Sequence, residues 1–262
     1  MRALIANGVT LHVHEAGNPT GSPVLFANSL GTDLRLWDAI IPLLPQELRL
    51  IRYDKRGHGL SSCPDGPYTM DDLASDAAAL IEAMNLGPVI FVGLSIGGMI
   101  GQSLALARPD LVRALVLSNT AAKMGDPATW ADRIATVNTD GLAAIEGAVL
   151  DRWFGPAFRK TTEATLWGAM LSRMPAAGYT GCCAAIAAAD LTQSTAALRL
   201  PTLVIAGSDD GASPPDLVAA TAALIRGAHF QIIDGAGHLP CVENPTAYAA
   251  ALTPFLKEHS HV

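Results

Sequence analysis

The sequence predicts an α/β fold in which a helical insertion interrupts a mainly parallel, doubly wound sheet. Strand-like apolar runs alternate with helix-like segments in both halves of the 262-residue chain, a pattern typical of a parallel sheet with helices on both faces. The stretch from about residue 121 to 196 instead contains only helical patterns. Half of the residues are apolar and 16% are charged, which indicates a large core. We therefore expect an α/β core of residues 1–120 and 197–262, with residues 121–196 as a helical cap.

The first half of the chain contains most of the predicted strands. Helices are predicted at 36–44, after Thr69 and at 96–108. Thr69 and Asp72 have the spacing of a capping box, and Pro109 ends the third helix. The apolar runs that indicate strands are 11–15, 24–27, 48–53, 89–92 and 112–117.

The alternation of strands and helices resumes after the insertion. Strands are predicted at 202–206 and 230–233, and helices at 214–225 and from Pro245 onward. The insertion itself is rich in large side chains, since it contains three of the four tryptophans, namely Trp130, Trp153 and Trp167.

The composition excludes several classes of function. The net charge is −7, so the chain has no basic footprint for nucleic acid. No apolar run approaches the roughly 18 residues of a membrane-spanning helix, and the N-terminus lacks the apolar region of a secretory signal. The cysteines have neither disulfide nor metal-ligand spacing, which favours a reducing cytoplasmic setting. They are Cys63, the adjacent pair Cys182 and Cys183, and Cys241.

The most informative motif joins a predicted strand to a predicted helix. Gly93-Leu94-Ser95-Ile96-Gly97 follows the apolar run Val89–Val92 and matches G-x-S-x-G, the motif of a nucleophile elbow. A serine on so tight a turn has a strained backbone, and side chains two residues before and after it would collide, so glycine is needed at both places. The helix directs its free N–H groups toward the serine. Ser95 is therefore a candidate nucleophile, and a plain glycine-rich turn is the alternative.

Two further candidates follow other predicted strands. A serine hydroxyl needs a general base that a third group orients, and such groups gather at the carboxyl ends of parallel strands. Asp210 follows the strand at 202–206, and His238 follows the strand at 230–233. We predict a catalytic triad of Ser95, Asp210 and His238, with Asp209 as the competitor for the position of the acid.

Acyl transfer also needs two backbone N–H groups that stabilise the developing oxyanion. Ile96, the residue after the candidate nucleophile, is expected to supply one of them. The loop Asn28-Ser29-Leu30-Gly31 follows the predicted strand at 24–27, and we select the amide of Leu30 as the second donor.

No catalytic or metal-binding role is predicted for the histidines discussed next. His12 and His14 lie on one face of a predicted strand, but no acid at ligand spacing accompanies them, so a metal site is not expected. His58 is predicted to hydrogen-bond the backbone of a loop. His259 and His261 are placed in a solvated C-terminal tail.

With these residues in place, the chain resembles the α/β-hydrolase superfamily over nearly its full length. The matching segments are Asn28–Asp33, Asp54–Ser61, the elbow, Gly207–Pro214 and Gly237-His238. The resemblance implies the α/β-hydrolase fold and assigns the acid to Asp210. Many relatives have His-Gly where this chain has Asn28-Ser29, a difference that affects the floor of the pocket.

A closer resemblance is to the 3-oxoadipate enol-lactonases of the β-ketoadipate pathway, which degrades protocatechuate and catechol. Three segments carry it: Asn28–Asp33, Ala148–Phe154 and Gly178–Ile186. The resemblance implies a serine esterase of aromatic-compound catabolism, which opens 3-oxoadipate enol-lactone to 3-oxoadipate through an acyl-enzyme. Neither a cofactor nor a metal is implied.

The implied substrate is a small anionic lactone, so a cation or several donors should meet its carboxylate. Arg133 is our candidate, and a surface ion pair with Asp132 is the alternative. Trp130 and Trp153 are candidates for the wall of the substrate pocket, with a plain core position as the alternative.

Other functions remain open on the sequence alone. A general carboxylesterase, a cofactor-free perhydrolase and a C–C bond hydrolase of ring-cleavage products all use the same scaffold. A non-catalytic ligand-binding protein could also keep the fold, although the intact triad argues against it. No nucleic-acid or membrane partner is expected, and the oligomeric state is left open.

Overall fold

An eight-stranded sheet lies at the centre of the molecule in the computed structural model, which describes residues 1–260. Its strands are β1 (Arg2–Ala6), β2 (Val9–Gly17), β3 (Pro23–Ala27), β4 (Arg49–Tyr53), β5 (Val89–Leu94), β6 (Val112–Ser118), β7 (Thr202–Gly207) and β8 (His229–Ile233). They are arranged in the order β1-β2-β4-β3-β5-β6-β7-β8. The pairs β1–β2 and β2–β4 are antiparallel, and all other neighbouring pairs are parallel.

Helices connect the strands and fill the segment between β6 and β7. The α-helices are α1 (Met70–Ala83), α2 (Ile96–Ala107), α3 (Pro127–Asp140), α4 (Glu146–Trp153), α5 (Thr162–Ser172), α6 (Ala176–Ala188), α7 (Thr192–Ala197), α8 (Pro215–Leu224), α9 (Pro240–Glu243) and α10 (Pro245–His259). Short 3₁₀ helices cover Leu34–Trp37, Ile41–Leu43, Leu142–Ile145 and Phe158–Lys160.

The central strands are covered on both faces. Every residue of β3, β5 and β7 is buried, as in parallel sheets whose two faces are packed against helices. Helix α2, which follows the predicted elbow, packs against β3, β5 and β6. The predicted doubly wound α/β class is therefore confirmed.

Local sequence signals account for most of the element boundaries, but one predicted helix was wrong and one strand was missed. Thr69 and Asp72 form the predicted capping box at the start of α1. The helix predicted at 36–44 is instead two 3₁₀ helices, because Pro42 lies inside it, where proline removes a backbone donor and clashes with the preceding turn. Strand β1 was not predicted, since it is a short strand at the edge of the sheet in which only Ala6 of the apolar residues Ala3 to Ala6 is buried.

The segment of residues 121–196 lies between two neighbouring parallel strands, β6 and β7. Its described elements are helical, and it contains no strand. Helix α3 packs against α6, and α4 packs against α5. Cys182 and Cys183 are both fully buried in α6, as expected for packing residues.

The C-terminal tail differs from its prediction. His259 ends α10, and its ring packs against Phe255 with 4.5 Å between the ring centroids. His261 lies outside the described residues. None of the helices in residues 1–260 has the length and apolarity that crossing a bilayer requires.

Candidate active site

Ser95 lies on a sharp turn between β5 and α2, as the elbow motif predicts. Its φ is +58°, a backbone conformation that serine rarely adopts. A side chain on Gly93 would meet the backbone of Gly97, and one on Gly97 would meet the carbonyl of Ala27 on β3. The two glycines therefore let the turn form against the sheet.

The turn is also held by hydrogen bonds to the end of the neighbouring strand. The amide of Ser95 donates to the carbonyl of Ser118 (2.9 Å), and the Thr120 hydroxyl donates to the carbonyl of Ser95 (2.7 Å). Ser118 is the last residue of β6, so the position of Ser95 is fixed by a strand adjacent to its own.

Asp210 and His238 meet at the carboxyl ends of β7 and β8. Nδ1 of His238 lies 3.0 Å from Oδ1 and 2.9 Å from Oδ2 of Asp210, and both residues are buried. Asp209, the competing acid, is exposed. The structure thus places Asp210, and not its neighbour, against the histidine.

Several donors surround the carboxylate of Asp210. Oδ1 accepts hydrogen bonds from the amides of Ala212 (2.7 Å) and Ser213 (2.9 Å). Oδ2 accepts from the Ser213 hydroxyl (2.8 Å) and the Asn119 side-chain amide (2.9 Å). Burial by itself would raise the pKa of Asp210, but the adjacent His238 and these donors outweigh it and hold the pKa below its usual range.

The roles of Asn119 and Ser213 were not predicted from the sequence. Ser213 precedes α8, which begins at Pro215 without a side-chain cap, and its hydroxyl donates to Asp210. Asn119 directly follows β6, so the rule that functional groups gather at strand ends could have identified it. Its Nδ2 also donates to the carbonyl of Gly237 (3.2 Å), next to His238.

The amides of Leu30 and Ile96 are both free. Within residues 1–260, neither amide donates a hydrogen bond, and Ile96 is the first residue of α2. Leu30 lines the same cavity as Ser95 and His238. Ser95 and His238 form no hydrogen bond with each other in the described part of the chain, and such bonds are often long before substrate binds.

A buried lysine and a buried histidine hold the loop that contains Leu30. Lys55 Nζ donates to the carbonyls of Ser29 (2.7 Å) and Asn28 (3.4 Å), and complete burial lowers the pKa of Lys55 to about 8. The amide of Gly31 donates to Nε2 of His58 (3.2 Å). Burial keeps the pKa of His58 well below its usual value, with a further contribution from Lys55, so the ring is neutral and can accept. The predicted role of His58 is confirmed.

A cavity of about 200 Å³ joins these groups to the helical segment. Ser95, Leu30 and His238 line it from the α/β core, and all three residues predicted to bind substrate line it from the other side: Arg133, Trp130 and Trp153. Arg152 and Tyr179 line it as well. No local pattern in the sequence distinguishes these two side chains, since only the packing of α4 and α6 brings them to the cavity.

Arg133 is half-buried and is not paired with an acid. Its guanidinium lies 4.8 Å from the centre of the Trp130 ring, and Nε1 of Trp130 donates to the carbonyl of Met124 (2.7 Å). Across residues 1–260, no carboxylate lies within 4.0 Å of Arg133. The alternative of an ion pair with Asp132 is therefore not what the structure shows.

Neither of the histidines of β2 belongs to a cluster that could bind a metal ion. His12 Nδ1 lies 2.8 Å from the buried Asp54, and His14 Nδ1 lies 2.9 Å from the guanidinium of Arg52. No group of three or more metal-ligating side chains occurs in the described part of the chain.

Glu243 joins the loop of His238 to the chain that follows α4. Oε1 accepts a hydrogen bond from the amide of Gly237 (2.7 Å), and Oε2 accepts one from Gly155 (2.8 Å). The backbone amide of His238 donates to the carbonyl of Trp153 (2.8 Å) at the same junction. Burial raises the pKa of Glu243 to about 7 in spite of its two donors.

This raised pKa predicts a pH-dependent stability. The folded state binds more protons than the unfolded state between about pH 4.5 and 7, so the contribution of Glu243 to the free energy of unfolding is lost as pH rises through this window. Partial exposure limits the effect to about 1 kcal/mol, or about 2–4 °C in Tm for a domain of this size. Thermal unfolding of the wild type and Glu243→Gln across the window isolates this slope. Identical pH dependence in both proteins would contradict the prediction.

Comparison with known proteins identifies the class. The family model described as the alpha/beta hydrolase fold matches residues 22–245, and the chain therefore belongs to the α/β hydrolase family. The resemblance of the whole sequence to this family is confirmed, and so is the predicted fold.

The relatives include enol-lactonases and an esterase. The 3-oxoadipate enol-lactonase 2 of Acinetobacter baylyi is 34% identical over 259 residues, which cover 97% of this chain and 96% of the relative. The crystal structure of the enol-lactonase from Burkholderia xenovorans LB400 has a TM-score of 0.94 and 33% identity, over 98% of this chain and 100% of that one. A thermophilic esterase from Thermogutta terrifontis, solved with malate bound, has a TM-score of 0.93 and 29% identity over the whole of both chains.

Proposed function

We propose that this chain is a serine hydrolase that opens 3-oxoadipate enol-lactone to 3-oxoadipate in the catabolism of aromatic compounds. The observation that carries the proposal is a single cavity lined by Ser95 on its strained turn, by His238, whose ring contacts Asp210, and by Arg133, which has no acidic partner in the described part of the chain. The similarity to enol-lactonases over nearly the whole chain supports the same substrate.

In the first half of the proposed reaction, Ser95 forms an acyl-enzyme. Its Oγ adds to the lactone carbonyl while Nε2 of His238 accepts the hydroxyl proton, and Asp210 orients the ring and stabilises its charged form. The amides of Leu30 and Ile96 bind the oxyanion. Collapse of the tetrahedral intermediate breaks the ring C–O bond and expels an enolate, which is a better leaving group than an alkoxide.

In the second half, water releases the acid. The expelled enolate takes the proton that Nε2 of His238 carries, so His238 is neutral again, and the resulting enol tautomerises to the ketone, which removes the nucleophile that could close the ring again. His238 then accepts a proton from water, the resulting hydroxide attacks the acyl-enzyme, and the proton returns to Ser95 as the ester bond breaks. Apart from substrate and water, every step of this proposed cycle is assigned to side chains and backbone amides of the chain.

We assign residues 121–196 the role of a cap that determines which ester reaches Ser95. Trp130, Arg133 and Trp153 come from this segment and form the wall of the cavity opposite the nucleophile. Trp153 also accepts the hydrogen bond from the amide of His238, so the cap and the catalytic histidine share one junction. The Thermogutta terrifontis esterase was solved with malate, a small carboxylate, bound.

Arg133→Ala is expected to weaken binding of the anionic lactone far more than binding of a neutral ester. A charge-assisted hydrogen bond to a carboxylate contributes about 1.5–3 kcal/mol, so KM for the lactone should rise about 10–100-fold. Steady-state kinetics with the enol-lactone and with phenyl acetate, which has no carboxylate, test this. Equal increases in KM for both substrates would contradict the role of Arg133.

The choice between lactonase and general carboxylesterase rests on one comparison of rates. Turnover of enzymatically generated 3-oxoadipate enol-lactone should exceed that of p-nitrophenyl acetate in kcat/KM. Preference for the simple ester would favour the esterase function, which the similarity to the Thermogutta esterase also supports, and would leave the mechanism at Ser95 unchanged.

A further inference from the structure

A second cavity, of about 260 Å³, lies between α3 and α4. From α3 it is lined by Thr129, Asp132, Arg133 and Thr136, whose spacing places them on one face of the helix. This face is polar although Ala148, Val149 and Arg152 of α4 line the same cavity. Helix α3 packs against α6 and against the 3₁₀ helix Leu142–Ile145. The polar face therefore borders an open groove and not a packed core.

The groove adjoins the cavity of Ser95. Four side chains line both cavities, namely Thr129, Arg133, Val149 and Arg152. A single layer of side chains therefore separates the groove from the cavity of Ser95. Thr129 and Arg152 are exposed, whereas Arg133 is half-buried and Val149 is buried. The groove is thus open to solvent on one side and borders the active-site cavity on the other.

Two arginines that line both cavities, Arg133 and Arg152, have no carboxylate partner in the described part of the chain. Like Arg133, Arg152 has no acidic group within 4.0 Å in the described part of the chain, and its neighbour Asp151 is paired with Arg159 at 2.6 Å. Asp132 is the one acid in the lining of the groove. The lining is therefore cationic in a protein of net charge −7, which favours the approach of small anions at this place.

We propose that the groove between α3 and α4 is the vestibule through which small carboxylate substrates reach Ser95, and that Arg152 is a specificity-determining residue within it. Arg152 binds the carboxylate on the solvent side, and Arg133 receives it on the inner side. The proposal rests on the proposed function only in that an ester is cleaved at Ser95. It does not depend on which anionic ester is the natural substrate.

Kinetics with a pair of substrates test the vestibule. The p-nitrophenyl half-ester of glutaric acid is anionic, p-nitrophenyl butyrate is neutral, and the two have the same leaving group. Arg152→Gln should lower the ratio of kcat/KM for the anionic ester to that for the neutral ester about 3–10-fold, mainly through KM, and should reduce the dependence of this ratio on salt. Arg173→Gln is the matched control, because Arg173 is an exposed arginine of the same helical segment that lines neither cavity.

Two kinetic results would overturn the proposal. An equal fall of the ratio in Arg152→Gln and Arg173→Gln would show a general effect of net charge, and an equal loss for both esters would show a packing role for Arg152. A titration of glutarate into the protein, followed by calorimetry, gives a readout that does not need turnover. Arg152→Gln should bind glutarate more weakly than Arg173→Gln, and equal affinities would overturn the vestibule even if the wild type hydrolysed neither ester. The proposed function fails by a different result, namely that the wild type does not hydrolyse 3-oxoadipate enol-lactone.

Discussion

Ser95→Ala is expected to lower kcat by about 10⁶-fold for any ester that the protein hydrolyses, by analogy with removal of the nucleophile from other serine hydrolases. The change removes one oxygen atom from a side chain that lies on a turn held by Ser118 and Thr120. These hydrogen bonds involve only the backbone of Ser95, so the turn should persist and the loss should reflect chemistry alone.

A second buried serine provides the matched control for this variant. Ser103 lies on α2, the helix that begins after Ser95, and its hydroxyl has no partner within residues 1–260. Ser103→Ala should retain wild-type turnover. Labelling by a serine-directed fluorophosphonate, measured by mass spectrometry, should attach one group to the wild type and to Ser103→Ala and none to Ser95→Ala. Labelled, active Ser95→Ala protein would refute the assignment of the nucleophile.

Asp210→Asn is expected to lower kcat by about 10⁴-fold, because an uncharged amide neither stabilises the imidazolium nor selects the tautomer of His238 that accepts the proton of serine. In this structure the consequence should be large, since four donors converge on the two oxygens of Asp210. An amide nitrogen in place of one oxygen would face donors, so a fall in Tm is expected together with the loss of rate.

Asp209→Asn separates the catalytic effect from the effect of removing a negative charge. Asp209 is adjacent in sequence but exposed, and its carboxylate accepts a hydrogen bond from the neighbouring Ser208 hydroxyl (3.0 Å). Its substitution should leave kcat within a small factor of wild type. If Asp209→Asn were the more damaging of the two substitutions, the position of the acid would have to be reassigned.

Much of the fold and the proposed triad could be predicted because their signals are local. The turn at Ser95 follows from five consecutive residues, and the capping box of α1 follows from Thr69 and Asp72. Asp210 and His238 could be selected because each directly follows an apolar strand, and parallel strands end at one edge of a sheet. The exposed strand β1 and the 3₁₀ helices near Pro42 were missed, since their local patterns are weak or ambiguous.

The groups that support the proposed triad could not be predicted, because their contacts join distant parts of the chain. Asn119 binds a carboxylate 91 residues away, and Glu243 links the loop of His238 to Gly155, 88 residues away. Lys55 reaches the loop of Leu30 across 26 residues. No periodicity or motif encodes such pairs.

By itself, the sequence determined the class of the fold, the turn that presents Ser95 and the candidates for base and acid, since hydrophobic patterning and glycine placement act over short distances. Only the tertiary structure decided that His238 contacts Asp210 and not Asp209. It also decided that Arg133 lines the cavity of Ser95 without an acidic partner in the described part of the chain, and that Arg152 lines a groove that adjoins this cavity. These features depend on how helices of residues 121–196 pack over the ends of the strands, and packing is a property of the whole chain.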